Sequence, residues 1–419
     1  MNDFSYVEKL LDGVEVVWFP ISEVTQRTTN IKWRETSESH QYIALTSVSV
    51  DTKKIIETTE IKASNAPSRA QKLVKKDDVL FATTRPTQMR YCLIDEEYNG
   101  AVASTGYCVL RVKRDVTLPK WILHLISSSD FKKYLEENQS GSAYPAISDA
   151  KVKGFSIPIP CPNNPEKSLE IQAEIVRILD AFTSMTAELT TELTTELNLR
   201  KKQYNYYRDQ LFAGSGFKLE KLGEISKIYL GLTYTPKYVE KGVKFISAKN
   251  TSKDFLDLAD TKYISEEEYL SSTSNAKPKR GDVLFTRVGS NLGHPVIVET
   301  DEPLCMFVSL GYIRVNPAKV LNSYIKHWMN TALFWDQVEK HTYGAAKVNL
   351  NTGWLNKFDV LLPSLEEQTR IIEILDKFEV LTTSIQEGLP REIKLRQKQY
   401  EYYRDLLLSY PKPHSDEAA

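Results

Sequence analysis

The chain has 419 residues, too many for one ordinary domain, and 41% hydrophobic with 10% aromatic residues is enough to bury two or three cores. A net charge of −1 with 26% charged residues does not announce a nucleic-acid binder, which is usually basic. No run of 18 apolar residues is long enough to span a membrane, and Met1-Asn2-Asp3-Phe4 lacks the basic-then-apolar pattern of a signal peptide. Cys92, Cys108, Cys161 and Cys305 are far apart and the histidines are scattered, which argues against a zinc site or disulfide framework and for a reducing cytoplasm.

In chain order, Tyr6–Leu11 (YVEKLL) comes first, a short stub of helix type. Short runs of Val, Ile, Phe and Tyr broken by Gly, Pro, Asn and Ser follow, and these predict strands. Asp78-Val-Leu-Phe81 is one, Leu110-Arg-Val112 after Gly106-Tyr107 another, and Ile157-Pro-Ile-Pro160 a third, with a helical stretch at Trp121–Glu137. The second half repeats these phrases loosely: Asp282-Val-Leu-Phe285, Gly311-Tyr-Ile-Arg-Val315, a helical stretch at Ser323–Lys340, and Val360-Leu-Leu-Pro363. Gly141-Ser-Ala143 with Ala146-Ile-Ser148 is likewise answered by Gly344-Ala-Ala346 with Val348-Asn-Leu350.

Each strand-rich half leads into a long helical segment. Leu169–Phe212 and Leu365–Leu408 align at an offset of 196 without a gap and share 21 of 44 residues, so they are a duplication. Ile171, Ile175, Ile178, Phe182, Met185 and Leu189 step by 4 and 3, as do Ile371, Ile374, Phe378, Leu381 and Ile385, which predicts a coiled-coil seam on one face of each. Ser364 and Glu367 have the spacing of a capping box. Such rods cannot fold alone. Either they pair between chains, or, as duplication within one chain favours, they pair antiparallel with each other. Thr186–Leu189, Thr190–Leu193 and Thr194–Leu197 are three tandem Thr-x-Glu-Leu units, whose leucines drift because 4 exceeds 3.6. The second copy has Gly388-Leu389-Pro390 there, and Pro390 predicts a kink or break.

Charge follows this plan. Residues 1–168 and 213–364 carry +1 and +3, whereas 169–212 and 365–419 carry −2 and −3. The expected layout is therefore a first globular domain at 1–167, a central helix at 168–212, a second globular domain at 213–363, a C-terminal helix at 364–410 and a tail at 411–419. The fold class is α+β, with two pseudo-repeated globular domains joined by two long antiparallel coiled-coil helices.

No catalytic constellation is present: no phosphate-binding loop, no G-x-G-x-x-G, no H-E-x-x-H, no nucleophile elbow. His294 and His341 lie in loop-like stretches, and Asp77-Asp78 and Asp95-Glu96-Glu97 read as solvated turns. Arg200-Lys-Lys202 and Arg391–Lys398 lie late in helices, where cations suit the dipole as well as they would a partner.

Two globular halves alternating with two similar long helices, marked by Gln172-Ala-Glu-Ile175 and Gln368-Thr-Arg-Ile371, Ile178-Leu-Asp180 and Ile374-Leu-Asp376, Lys202-Gln-Tyr204 and Lys398-Gln-Tyr400, Tyr207-Arg-Asp209 and Tyr403-Arg-Asp405, resemble the specificity subunits of type I restriction–modification enzymes, the HsdS family. The tandem Thr-x-Glu-Leu units resemble the spacer of its type IC subgroup. The resemblance implies that each half is a target-recognition domain reading one half of a bipartite double-stranded DNA site. It implies that the helices space the halves and bind two methyltransferase (M) subunits, with restriction/motor (R) subunits joining them. S-adenosylmethionine, ATP and Mg would belong to those partner subunits, with no cofactor, metal or catalytic residue on this chain and no membrane contact.

On that expectation, Thr84, Arg85, Gln88 and Arg90 after the first Asp-Val-Leu-Phe strand, and Arg287, Ser290 and Asn291 after the second, are candidate DNA contacts, with Lys249, Asn250 and Lys347. Arg matches guanine and Asn or Gln matches adenine. Each could equally be a solvated loop residue. Lys202, Tyr204, Tyr207, Arg208, Lys398, Tyr400, Tyr403 and Arg404 are the candidate partner-binding residues, with Arg208 and Arg404 expected to face outward. The rival reading is a two-domain structural adaptor that binds proteins and no DNA.

Overall fold

The computed structural model describes residues 13–289, 291–342, 349–383 and 388–410. It forms two compact units, one of residues up to Thr190 with the chain again from Leu395, the other Thr191–Lys394. The stub Tyr6–Leu11, Ser290, Lys347 and Ile385 lie outside the described residues.

In the first unit, Val16–Pro20 pairs antiparallel with Ser156–Pro160 at the root of the globular part. One four-stranded sheet has the order Thr25–Gln26, Tyr107–Val112, Val79–Ala82, Tyr91–Leu93, and a second has the order Thr59–Ile61, His40–Ile43, Val102–Ser104, Ala70–Leu73. Val79, Leu80 and Phe81 are all buried because the strand is covered on both faces: Val79 and Phe81 enter the core that holds the helices, and Leu80 the core toward the second sheet.

The second unit repeats the frame. Lys218–Lys221 pairs with Asp359–Leu362, and one sheet runs Ser226–Leu230, Leu310–Val315, Val283–Thr286, Pro295–Ile297. The other sheet keeps the parallel pair, Val243–Ile246 with Leu304–Met306 as His40–Ile43 with Val102–Ser104, but Leu304–Met306 is now an edge strand and the fourth strand, Tyr238–Val239, is added at the opposite edge. Register corrects one sequence alignment. Phe81 faces Cys108 and Phe285 faces Gly311, so the two Gly-Tyr pairs are not equivalent, although Arg111 and Arg314 are. Gly311 is needed where it stands, since a Cβ there would lie 2.3 Å from the Phe285 ring.

The helical stretches expected at Trp121–Glu137 and Ser323–Lys340 are each two helices: Pro119–Leu125 and Ser129–Asn138, then Asn322–Trp328 and Ala332–Thr342. The break is a capping event. Ser128 Oγ accepts from Phe131 N at 3.2 Å and Thr331 Oγ1 from Phe334 N at 3.3 Å, so a hydroxyl starts a new helix in both halves. The bend drives Trp121 and Phe131, and Trp328 and Phe334, into the two cores.

The central helix is continuous over Pro165–Phe212, three residues earlier than expected and straight through the Thr-x-Glu-Leu units. The C-terminal copy is two helices, Leu365–Thr383 and Leu389–Leu407, and Pro390 sits in the first turn of the second, where its missing N–H costs no bond. That restart puts Arg391 early rather than late in a helix. The expected seam is also redistributed. Ile171 and Ile175 pack into the first globular core, and Ile371 and Leu375 into the second. The helices meet farther along. In the first unit Phe182 stacks on Tyr403 at 6.2 Å and Thr183 Oγ1 bonds Tyr400 OH at 2.9 Å. In the second, Tyr204 and Tyr207 both lie against Phe378, at 6.4 and 6.1 Å. Low numbers on one helix meet high numbers on the other, so the pairing is antiparallel. Among the described residues no helix is long and apolar enough to cross a membrane.

Candidate nucleic-acid interface and partner surface

The segment Thr83–Arg90 is a built loop. Thr83 N bonds Gly106 O, and Thr83 O takes Ile147 N at 2.9 Å. Arg85 and Met89 are left-handed (φ 50° and 53°) on either side of the short turn Pro86–Gln88. Conformations that an Arg or Met adopts at a cost persist only where the surroundings dictate them. Here Arg85 N donates to Pro145 O at 2.7 Å, Lys53 Nζ to Met89 O at 2.5 Å, and the Arg90 guanidinium to Val48 O. Burial, opposed by Asp51 and aided by Arg90 and Arg404, lowers Lys53 to about 8. Thr84, Arg85 and Gln88 are exposed at the loop surface, and Arg85 covers the ring of Tyr144 at 5.6 Å. Arg90, expected at DNA, is a half-buried brace instead.

In the second half, Arg287 N bonds Ser309 O and Leu350 N bonds Arg287 O, the pattern that Thr83 makes. Arg287 is therefore the counterpart of Thr83, not of Arg85. It is half-buried, with Nε donating to Leu350 O at 3.2 Å, a bond that does not use the terminal amino pair. Asn291 is exposed in the following turn. Lys249 is exposed but paired with Asp260 at 3.0 Å. Asn250 is a correction. It is 3% exposed, its Oδ1 takes Ser247 N, and Nδ2 donates to Asp257 O and Asp260 O, so the amide is consumed in holding its own loop.

Both strand pairs carry a feature that sequence reasoning missed. Asp78, read as a solvated turn, is 1% exposed and grips Arg111 Nε and Nη2 at 2.8 and 2.7 Å, and Asp282 grips Arg314 Nε and Nη2 at 2.8 and 2.6 Å. Each carboxylate also accepts the N–H of the residue three before it, Lys75 or Lys279. The recurrence of Asp-Val-Leu-Phe together with Leu/Ile-Arg-Val was the available signal.

The helix phrases mostly dock each helix onto a globular half. Gln172 and Gln368 are fully buried. Gln172 takes Leu118 N and donates to Val116 O, and Gln368 takes Leu321 N and donates to Lys319 O. Asp180 accepts from His124 at 2.9 Å, Asp376 from His327 at 2.7 Å, and Tyr204 OH lies 3.3 Å from the other His327 nitrogen. For both aspartates burial acts upward, but these bonds, with Lys120 and Lys326 nearby, outweigh it and hold them below the ordinary range. His327, Asp376 and Glu379 lie close enough to hold a metal ion, yet Lys326 Nζ already sits 2.8 Å from Glu379, and the group is a structural bridge.

Arg208 and Arg404 do not face outward. Both are 8% exposed, lie over Tyr204 and Tyr400 and bond Asp209 and Asp405. Those aspartates cap helices of the globular parts: Asp209 takes Ala332 N, and Asp405 takes Ser129 N. Tyr204, Tyr207, Tyr400 and Tyr403 are spent in large part on the helix pairing. The exposed positions are Lys202 and Lys398, with Tyr207 and Tyr403, 44% and 39% exposed beside their helix contacts, and Leu199, Leu395, Tyr206 and Tyr402, the last two 62% and 58% exposed. Leu199, Lys202 and Tyr206 share one helical face, and Leu395, Lys398 and Tyr402 repeat it. The tyrosines were missed because the seam pattern gave them no role.

A family model described as the type I restriction modification DNA specificity domain matches residues 19–199 and again 214–395. The chain is 37% identical to the type I restriction enzyme EcoR124I/EcoR124II specificity subunit of Escherichia coli over 99% of both chains, and 31% identical to the EcoprrI specificity subunit of the same species over 92% of this chain and 93% of the other. Its fold is similar to that of a chain solved in work on complex assembly and conformational transition of the type I R-M system (TM-score 0.75, 21% identity, 94% and 97% coverage). It is also similar to the HsdS subunit of Thermoanaerobacter tengcongensis (TM-score 0.53, 22% identity, 94% and 95% coverage).

Proposed function

Since the chain belongs to the type I restriction–modification DNA-specificity family, we propose that its two globular halves read the two parts of one double-stranded DNA site. The chain is the DNA-specificity subunit of a type I restriction–modification complex and is not itself an enzyme. The observation that carries the two-part reading is that one strand frame occurs twice while its loops differ. The first presents Thr84, Arg85 and Gln88, and the second Arg287 and Asn291, with Lys249 on a neighbouring loop. A repeated frame with unlike readers fits an asymmetric bipartite site, because phosphate contacts position a protein and base-edge contacts specify the sequence. The adaptor reading gives no reason for such unlike donors at the same place.

The partner surface is the doubled strip Leu199, Lys202, Tyr206 and Leu395, Lys398, Tyr402. Two copies of one surface fit two copies of one partner, the methyltransferase subunits, with restriction/motor subunits joining the assembly. S-adenosylmethionine, ATP and Mg are assigned to those partners. The test is long-read sequencing of modified adenines in the source genome with and without this gene. Loss of one bipartite methylated motif is expected, and an unchanged methylation pattern overturns the reading.

A further inference from the structure

Tyr144 is 73% exposed, more than any other large hydrophobic side chain among the described residues. It adds nothing to a core, yet its loop is tightly made. Ser140 and Ala146 exchange N–H···O bonds of 2.9 Å in both directions, closing the loop at its base. Gly141 has φ +93°, and a Cβ there would lie 2.9 Å from the Tyr144 carbonyl, so the turn requires glycine. The loop is joined to the reading loop by backbone, through Arg85 N to Pro145 O at 2.7 Å and the Thr84–Ala146 bridge. The ring thus arrives under the Arg85 guanidinium at a distance, 5.6 Å, at which a cation is attracted to a π face.

Arg85 differs from several structural arginines of this chain. Arg111, Arg114, Arg280, Arg314 and Arg370 each hold a carboxylate, and among the described residues Arg85 has none. A guanidinium drawn to a ring face loses part of its freedom without spending its N–H groups on an acceptor, and a bidentate contact to guanine O6 and N7 needs those groups. We propose that Tyr144 is a positioning residue for DNA reading, its ring presenting the Arg85 edge to one base pair, a G·C pair, of the site read by the first half. This rests on that half being a DNA reader.

The chain is co-expressed with its methyltransferase partners as wild type, Tyr144→Ala, Tyr144→Phe, Arg85→Ala and the alanine double variant, and methylated motifs are sequenced. Tyr144→Ala and Arg85→Ala are expected to relax the same single base pair of one half-site by about tenfold, with the other half-site and the spacing unchanged. Tyr144→Phe keeps the ring and the motif, and the double variant is no worse than either single. Thermal melting of Tyr144→Ala at the wild-type temperature is expected, since the side chain is outside the core. The proposal is overturned if folded Tyr144→Ala retains the full motif, loses methylation evenly at all sites, or is matched by Tyr144→Phe. A wild-type complex that methylates no two-part motif overturns the DNA-reading function first.

Discussion

Asp78 and Asp282 show how much a single carboxylate carries here. Each receives two arginine N–H groups and one backbone N–H while almost fully buried. Asp282→Asn keeps the shape but removes the charge, leaving Arg314 half-buried against a neutral amide. The expected cost is about 2–4 kcal/mol in urea unfolding of the chain, and an unchanged midpoint would refute the role. Their role was invisible in sequence: Asp78 follows Asp77 and reads equally as a turn, and Asp282 after Gly281 reads only as the entry to a strand. Only the pairing of strands brings Arg111 and Arg314 to them. Asn250 fails in the opposite sense. Its residue type suits adenine, but burial with three satisfied bonds leaves it no free edge. Arg287 keeps its candidacy because its bond to Leu350 O uses Nε. Arg287→Ala is expected to cost about 1–3 kcal/mol in affinity for one half-site only. A loss shared evenly across unrelated duplexes, measured by fluorescence anisotropy, would reassign it to phosphate.

At the scale of elements, the gapless repeat of the two helices was legible, and so was an interruption of the second copy, although Pro390 lies in the first turn of the restarted helix and not at the break. What the apolar steps did not disclose is which surface each residue would meet. A 4-3 pattern names a buried stripe, not its cover, and here the first turns of each stripe lie on a globular core while the tyrosine phrases supply the helix pairing. Arg208 and Arg404 were misread for the same reason: charged residues were expected to face water, but each lies over a tyrosine and bonds a capping aspartate. The partner prediction accordingly moves to exposed residues outside the helix pairing described above, Tyr206 and Tyr402, whose rings meet only those of the neighbouring Tyr207 and Tyr403 among the described residues. Tyr206→Ser with Tyr402→Ser is expected to leave stability within about 0.5 kcal/mol of wild type, as exposed positions do. The same pair is expected to weaken assembly with the methyltransferase subunits by about tenfold or more, as aromatic anchors do. Analytical ultracentrifugation of the mixture reads this, and wild-type assembly by the double variant would remove the strip from the interface.

At the scale of the whole molecule, the first unit is completed by the far end of the chain, from Leu395. Leu407, Leu408 and Tyr410 enter the first core, Tyr410 against Trp121 at 6.0 Å, as Phe212 enters the second. Each globular part thereby holds the start of one helix through a buried Gln and the end of the other through an Asp cap. The run of Thr-x-Glu-Leu units lies in neither globular core and belongs to the unbroken central helix Pro165–Phe212. Its length is therefore open to change without loss of a core contact. Removing Thr190–Leu193 takes out four residues, about 6 Å of helix, and about 40° of rotation beyond a full turn. Base pairs are about 3.4 Å apart, and one pair turns DNA by a similar angle, so length and phase shift together. The deletion is expected to shorten the unspecified spacer by one or at most two base pairs while both half-site sequences stay as they were. Motif sequencing of methylated DNA reads both quantities at once. Methylation at the original spacing would show that the repeat does not set it, and altered half-site bases would show that the deletion disturbs the reading domains instead.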